Sequence, residues 1–444
     1  MIRDELLSKS TEKKTKALET DKLDSCEGIQ YKPLCPEDIA SMTSSRGSLS
    51  RSFSVCDLVA KHKHDLHVRA YMDYYGGYSE HGRQTVFGLD ATGKHNIKVS
   101  PIKTPVDIDP ITHKKCDSFV FNNTVNTSKS DFMVIGGPGW LQKKYLPQSR
   151  KTYGWTMIES LEFNEDCTEW LKNVDCLLCP TDTDVRRAKN AGVENYVKMH
   201  LGYDEKLYHE NIKPIDIHGL DGRYVFGVLG SWNKRKDVRS IIRAYCEAFT
   251  SVDNVTLLMV SKYGTRPFGE LKEDKERWTI KYEFDKIIEE VGKDNLPHIA
   301  LIDIPVHETM LPHIMKRFDC LVGFSMGEST WLPGLQAMNM KIPVIQLASR
   351  CSGFMEYLNK DNSFLCENVN YIEADEELYV GTSDYYKDQV FAQGDWKELA
   401  GTMLDVTYMN GCPEMDKTLD NAKESVRNWT WDISAKCLSS FLVV

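Results

Sequence analysis

No run of about 18 apolar residues occurs anywhere in this sequence, so no segment reads as a membrane-spanning helix. The first residues, Met1-Ile2-Arg3-Asp4-Glu5, contain no apolar stretch of the signal-peptide kind. No secretory signal is expected, and a cytoplasmic location is. Regular cysteine spacing is missing too. The 13 cysteines are an odd number, scattered along 444 residues, and read as reduced thiols rather than a disulfide framework. No convincing Gly-x-Gly-x-x-Gly follows the first predicted strand, which argues against a dinucleotide-dependent dehydrogenase. Positive charge is in deficit: 55 Lys and Arg against 65 Asp and Glu, a formal net charge of −10. Such a chain is a poor general polyanion binder, so any phosphate it holds must meet a local basic cluster.

What remains is an ordinary globular composition, 41% hydrophobic and 27% charged, which excludes wholesale disorder. At roughly 150 residues per domain the length suggests two to three domains. Residues 1–65 are polar, Ser-rich and charge-mixed, and read as a partly ordered extension. From His67 short apolar runs alternate with helix-like segments. His67–Asp73, Asp131–Ile135, Thr152–Ile158, Val174–Pro180 and Tyr196–His200 read as strands, with helices at Glu80–Thr92 and Asn164–Asn173. A polar stretch from Asp204 to Arg223, holding Pro214, Gly219 and Gly222, is the linker candidate.

The alternation then restarts. Strands are expected at Tyr224–Gly230, Val255–Ser261, Ile299–Ile304, Cys320–Phe324 and Val344–Leu347. Helices are expected at Val238–Thr250, Trp278–Val291, Glu308–Phe318 and Pro333–Met340. The expected architecture is α/β, with two doubly wound domains facing a cleft: 66–210, then 211–428. A last helix, within 429–444, is expected to pack back toward the first domain. Ligands of such sheets sit at the carboxyl ends of the strands.

Two stretches carry readable chemistry. In the first, an apolar strand ends at Gly230, and Lys234-Arg235-Lys236 precedes a helix. Backbone N–H groups, an Arg fork and a Lys point charge at such a turn suit a diphosphate, although a solvated basic turn would read the same way. In the second, a strand ends near Phe324 and a helix begins near Pro333, with Glu328 in the loop. Its carboxylate is placed to accept hydrogen bonds from sugar hydroxyls. The N–H groups of Thr330, Trp331 and Leu332 begin the helix, where a phosphate would be favoured, and Pro333 suits a first turn. A capped loop with a solvated Glu is the plainer alternative.

Taken together, these stretches resemble the retaining GT-B glycosyltransferases of family 4. Gly230 to Arg235-Lys236 is similar to that family's Gly-x-x-x-x-Arg-Lys-Gly turn, with Asp237 in place of the last glycine. Glu328-Ser329-Thr330-Trp331-Leu332-Pro333-Gly334-Leu335-Gln336-Ala337-Met338 resembles its Glu-Gly-Phe-Gly-Leu-Pro-x-x-Glu-Ala-Met. Lys341-Ile342-Pro343-Val344-Ile345 and Gly353-Phe354-Met355-Glu356 extend the likeness. So do Tyr74-Tyr75-Gly76-Gly77-Tyr78-Ser79-Glu80-His81-Gly82-Arg83-Gln84 in the first domain and His200-Leu201-Gly202-Tyr203-Asp204 at its end.

The resemblance implies a nucleotide-sugar donor, UDP-linked on family frequency, and transfer with retention and no obligatory metal or cofactor. It implies that Arg235 and Lys236 neutralise the donor diphosphate and that Glu328 binds hydroxyls of the transferred sugar. Gly76, Gly77, Gly230, Ser329, Thr330, Trp331, Leu332 and Gln336 would line the donor site. Gln336 stands where the family has a ribose-binding Glu; it can accept a hydrogen bond but carries no charge. That change keeps open a second reading, a degenerate protein that binds sugar nucleotide or glycan without transfer. Glu159 is a candidate for the acceptor side, with a structural role equally open. The acceptor is undetermined among glycan, lipid-linked sugar, protein, small molecule and modified DNA, and so is the oligomeric state.

Three further features have plainer readings. Cys176-x-x-Cys179 lies in an apolar run with no second pair at metal spacing and reads as a core strand. Asp182-Thr183-Asp184 reads as a helix-capping turn rather than a metal motif. Lys61-His62-Lys63-His64 reads as a solvated flank.

Overall fold

The computed structural model describes residues 63–73, 76–103, 110–120, 127–263, 280–304, 306–380 and 384–443. The expected extension 1–65 lies outside the described residues except for its last three positions, as do Tyr74 and Tyr75 of the Gly-rich stretch. No helix among the described residues is long and apolar enough to cross a membrane.

Two six-stranded parallel sheets organise the chain. The first holds β1 (His64–Tyr71), β2 (His95–Lys103), β3 (Asp131–Ile135), β4 (Thr152–Trp155), β5 (Cys176–Cys179) and β6 (Tyr196–Lys198), in the order β2-β1-β3-β4-β5-β6. Between them run α1 (Gly77–Ala91), α2 (Pro110–Phe119), α3 (Glu165–Leu171) and α4 (Asp182–Asn190). The second sheet holds β7 (Tyr224–Trp232), β8 (Val255–Tyr263), β9 (His298–Ile302), β10 (Cys320–Val322), β11 (Val344–Leu347) and β12 (Phe364–Cys366), in the order β12-β11-β10-β7-β8-β9. Its helices are α5 (Val238–Ala248), α6 (Ile280–Val291), α7 (Leu311–Met315) and α8 (Leu332–Asn339).

Parallel strands are covered on both faces, so their sequences are near-continuous apolar runs. All five residues of β3 are buried, and in β5 Leu177, Leu178 and Cys179 are buried, which places the Cys176–Cys179 pair in a core strand. β2 has no counterpart among the predicted strands. It bonds only to β1, so it is an edge strand, and its mixed sequence with Pro101, polar residues and the exposed Asn96 carries little apolar signal. Some predicted strands and helices are longer than the observed ones. The run expected to continue to Ile158 leaves the sheet after Trp155, and the helix expected over 308–318 is regular only in α7.

Beyond β12 a hairpin pairs β13 (Val369–Glu373) with β14 (Val390–Gly394), with α9 (Glu376–Val380) between them. Three helices follow: α10 (Trp396–Met409), α11 (Pro413–Val426) and α12 (Trp431–Leu442). The last of these crosses back onto the first sheet's layer. Gly88 of α1 sits so close to Ala435 of α12 that a Cβ there would meet Ala435 Cβ at 2.5 Å. The crossing is fixed by a bridge in which Tyr203 N donates to Trp429 O at 3.0 Å and Trp431 N to Tyr203 O at 3.2 Å.

Candidate functional site

Strand order reverses between β1 and β3 in the first sheet and between β7 and β10 in the second. Such reversals leave a crevice at the carboxyl ends of the strands. A cleft of about 1050 Å³ lies there, lined from both sheets. Of the residues that the resemblance places at the donor and acceptor sites, Gly76, Gly77, Glu159, Gly230, Arg235, Lys236, Glu328, Thr330, Trp331, Leu332 and Gln336 line it and Ser329 does not.

Three loops build its floor. After β1, Gly76 caps α1 with φ 113°, a left-handed conformation that glycine adopts without steric cost. After β7, Asn233 caps a single tight turn, Lys234–Lys236, by accepting from Lys236 N at 3.1 Å. Asp237, which stands in place of the family's glycine, has φ 46° and caps α5 by accepting from Ser240 N at 3.3 Å. Its carboxylate is thereby turned into its own helix rather than toward an incoming phosphate. After β10, the loop carrying Glu328 is stitched to the basic turn, with Met326 N donating to Arg235 O at 2.7 Å.

The basic turn divides its charges. Lys234 points away from the cleft and pairs with Asp375 and Glu377. Buried Arg235 forks between two carboxylates, 2.9 Å from Glu159 and 3.0 Å from Glu328, and donates to Gly327 O at 2.6 Å. Lys236 Nζ also pairs with Glu328. Two cations thus meet two carboxylates, and the sequence did not foretell this pairing of Glu159.

Burial opposes the charge of Glu328, but Arg235 and Lys236 together outweigh it and hold its carboxyl below the ordinary range. Burial prevails at Glu159, where Arg235 favours the charge and Glu328 opposes it, so that carboxyl is raised. The two acids are therefore pushed apart, a pattern typical of reacting sites.

At the start of α8, Thr330, Trp331 and Leu332 face the cleft. Their backbone N–H groups have no helical acceptor, as at any helix start. Thr330 Oγ1 is buried without a partner among the described residues. Ser329 departs from expectation: its hydroxyl donates to Asp184 at 2.5 Å, away from the cleft. Asp184 in turn pairs with Arg187 at 2.9 Å, and Asp182 with Lys198 at 2.7 Å, while Thr181 caps α4. The Asp182–Asp184 pair therefore serves helix capping and ion pairing. Among the described residues no group of three His, Cys, Asp or Glu is placed to hold a metal ion.

Gln336 has a partner that sequence reasoning did not single out. Its amide donates to both oxygens of Glu80, at 3.3 Å each, across the cleft from α1. Trp431 Nε1 donates to the same carboxylate at 3.3 Å. Nearby, Arg83 of α1 pairs with Glu308 at 2.7 Å. Glu80 and Arg83 both fall in the Gly-rich stretch Tyr74–Gln84, where no role was expected of either.

Burial pushes the Glu80 carboxyl up to about 7, despite the Trp431 hydrogen bond and Arg83. A raised acid favours the folded state below its unfolded pKa of about 4.5 and loses that contribution as pH climbs through 7. Glu80→Gln removes the titration. The variant's stability relative to the parent is therefore expected to improve by on the order of 2 kcal/mol between pH 5 and pH 8. Melting curves of both proteins across that range provide the check; a constant difference would show that Glu80 titrates normally.

Solved structures with this arrangement of both domains exist. A glycosyltransferase from Rickettsia africae superposes with TM-score 0.59 at 10% identity, covering 86% of this chain and 99% of that one. Sucrose-phosphate synthase from Thermosynechococcus elongatus gives 0.58 at 14% identity, over 85% and 98%. The fold is GT-B. An α,α-trehalose 6-phosphate synthase from Burkholderia multivorans agrees, with TM-score 0.56 at 10% identity over 86% and 98%. No protein-family model and no curated protein matches the sequence. The two GT-B domains correspond to the two six-stranded sheets, and the cleft between them carries the residues described above.

Proposed function

We propose that this protein is a retaining glycosyltransferase of family 4 type, acting in the cytoplasm on a UDP-linked sugar. The observation that carries the reading is the convergence of Arg235 and Lys236 on Glu328 at the reversal point of the second sheet. In this reading the donor diphosphate enters above the first turn of α8 and takes over the two cations from the carboxylates. As the bond to the diphosphate breaks, charge grows on the leaving oxygen, where Arg235 and Lys236 stabilise it. Glu328, kept ionised, accepts hydroxyls of the transferred sugar. Glu159, whose carboxyl is raised, faces the acceptor side. The reading assigns charge neutralisation to these side chains and calls for no cofactor. A solved trehalose-phosphate synthase from Burkholderia xenovorans, described as UDP-forming, shares the fold at TM-score 0.52 and 11% identity over 71% of this chain and 73% of that one, which supports the choice of nucleotide.

Gln336 supports one alternative, a protein that binds donor without turnover. Thermal shifts with a panel of UDP-, GDP- and ADP-sugars, followed by donor hydrolysis with the stabilising one, separate the two. Transfer predicts slow hydrolysis that Glu328→Ala removes. A folded protein that is stabilised by donor yet never consumes it, across a broad acceptor panel, would fit the alternative instead.

A further inference from the structure

Part of the wall of the cleft is made of aromatic rings. Two short turns after β3, Pro138–Leu141 and Lys143–Tyr145, present Trp140 and Tyr145 with centroids 4.9 Å apart and planes tilted by 48°. Trp140 Nε1 donates to Tyr71 Oη at 3.0 Å, which fixes the indole at the end of β1. The second domain completes the wall with Tyr385, from the connection between α9 and β14. Its carbonyl accepts from Asn164 Nδ2 at 3.0 Å and from Gln389 Nε2 at 2.6 Å, tying that connection to the first domain. Gly137 makes room for the ring: a Cβ there would lie 3.2 Å from Tyr385 Oη and 3.3 Å from Cε1. Trp140, Tyr145 and Tyr385 all keep part of their surface open.

These rings are interleaved with polar groups. Gln142 and Glu159 line the same cleft. A saturated sugar ring has just this pairing of surfaces: a face of weakly positive C–H groups, which suits the negative face of an aromatic ring, and an equator of hydroxyls that need partners. An alkyl chain would leave the polar groups unpaired. A nucleic acid would find two cations here, since the turn that presents Tyr145 also carries exposed Lys143 and Lys144, with Lys144 Nζ 4.9 Å from the Tyr145 ring centroid. The carboxylates of Glu159 and Asp73 in the same cleft and the net charge of −10 favour an uncharged sugar over a polyanion.

We propose that this ring-lined section is the acceptor subsite and that the acceptor is a carbohydrate offering a pyranose ring. The ring stacks on Trp140 and Tyr145 and points a hydroxyl toward Glu159. This rests on the glycosyltransferase reading for the reaction itself. In that reaction the acceptor hydroxyl oxygen bonds to the donor's anomeric carbon. The bond from that carbon to the diphosphate breaks with its electron pair on the leaving oxygen. The hydroxyl proton passes to the departing phosphate.

The test uses the full chain, methyl pyranosides of glucose, mannose, galactose and N-acetylglucosamine as probes, and octan-1-ol and a hydroxymethylcytosine DNA duplex as contrasts. Saturation-transfer NMR and transfer assays are run on the parent, Trp140→Ala and Trp140→Phe. At least one pyranoside is expected to bind through its ring protons. Trp140→Ala is expected to weaken that binding at least tenfold, with recovery in Trp140→Phe, while the thermal shift caused by the donor is retained as evidence of folding. Binding that ignores Trp140→Ala overturns the proposal. So does donor turnover with the alcohol or DNA as acceptor and no pyranoside bound, an outcome that leaves the glycosyltransferase reading standing. Trp140-dependent pyranoside binding with no donor ever consumed upholds the subsite and sinks the transferase reading alone.

Discussion

Arg235→Ala is expected to lower donor turnover by about a thousandfold, the scale at which loss of a preorganised group at a developing negative charge is felt. Arg235 is also a strut, holding Glu159 at 2.9 Å, Glu328 at 3.0 Å and Gly327 O at 2.6 Å. Its removal leaves buried carboxylates short of a cation, which by itself costs stability. The cost is shared unequally. Glu328 keeps Lys236, so Glu159 is the stranded group and takes up a proton. A loss on the order of 2 kcal/mol follows, smaller than for a fully orphaned ion pair. Adding Glu159→Gln to Arg235→Ala is expected to recover most of that stability and none of the turnover. Arg235→Lys restores charge without the fork and is expected to regain only part of the rate. Chemical denaturation and donor hydrolysis per folded molecule read the two quantities separately. Unchanged turnover per folded molecule would make Arg235 a structural residue only.

That double role explains what was legible in the sequence and what was not. The loops after β7 and β10 announce themselves because the apolar strand, the glycine or proline, and the helix start are contiguous, so local rules place Arg235, Lys236 and Glu328 together with their elements. Lys234 reads like its neighbours but is drawn off by Asp375 and Glu377, more than a hundred positions away in the chain and invisible to local pattern. Asp237 reads only as a departure from the glycine of the resembled motif, yet its left-handed backbone and helix-capping bond give it a local role that spacing alone does not reveal. Glu80 and Tyr385 reach the cleft by tertiary placement, one from α1 and one from the connection before β14. Tyr385 has no motif of its own, and Glu80 lies within the Gly-rich stretch without a role that local pattern assigns. β2 and the β13–β14 hairpin were missed because edge and paired-hairpin strands carry exposed polar residues that dilute the apolar signal.

The contact between the two domains at Gly327 leads to the second large effect, Gly327→Ala. Gly327 is not in the left-handed region, so its need for glycine is one of space. A Cβ there would lie 1.7 Å from Glu159 O and 2.8 Å from Glu159 C, with Cys351 Cβ at 3.1 Å. The obstacle is backbone, so no rotamer change relieves it. Either the segment after β4 retreats, carrying Glu159 off Arg235, or the loop after β10 retreats, carrying Glu328 off Arg235 and Lys236. Both movements separate the groups that the reaction needs together. A destabilisation of about 3 kcal/mol and a fall of at least a hundredfold in donor turnover are expected. Gly401→Ala is the matching control. Gly401 lies in α10, away from the cleft, with nothing within 4 Å of a new Cβ, and the change is expected to stabilise the protein by about 0.5–1 kcal/mol. Turnover that survives Gly327→Ala would mean that the two loops can part without loss, and that the reaction does not need the Arg235 pairings.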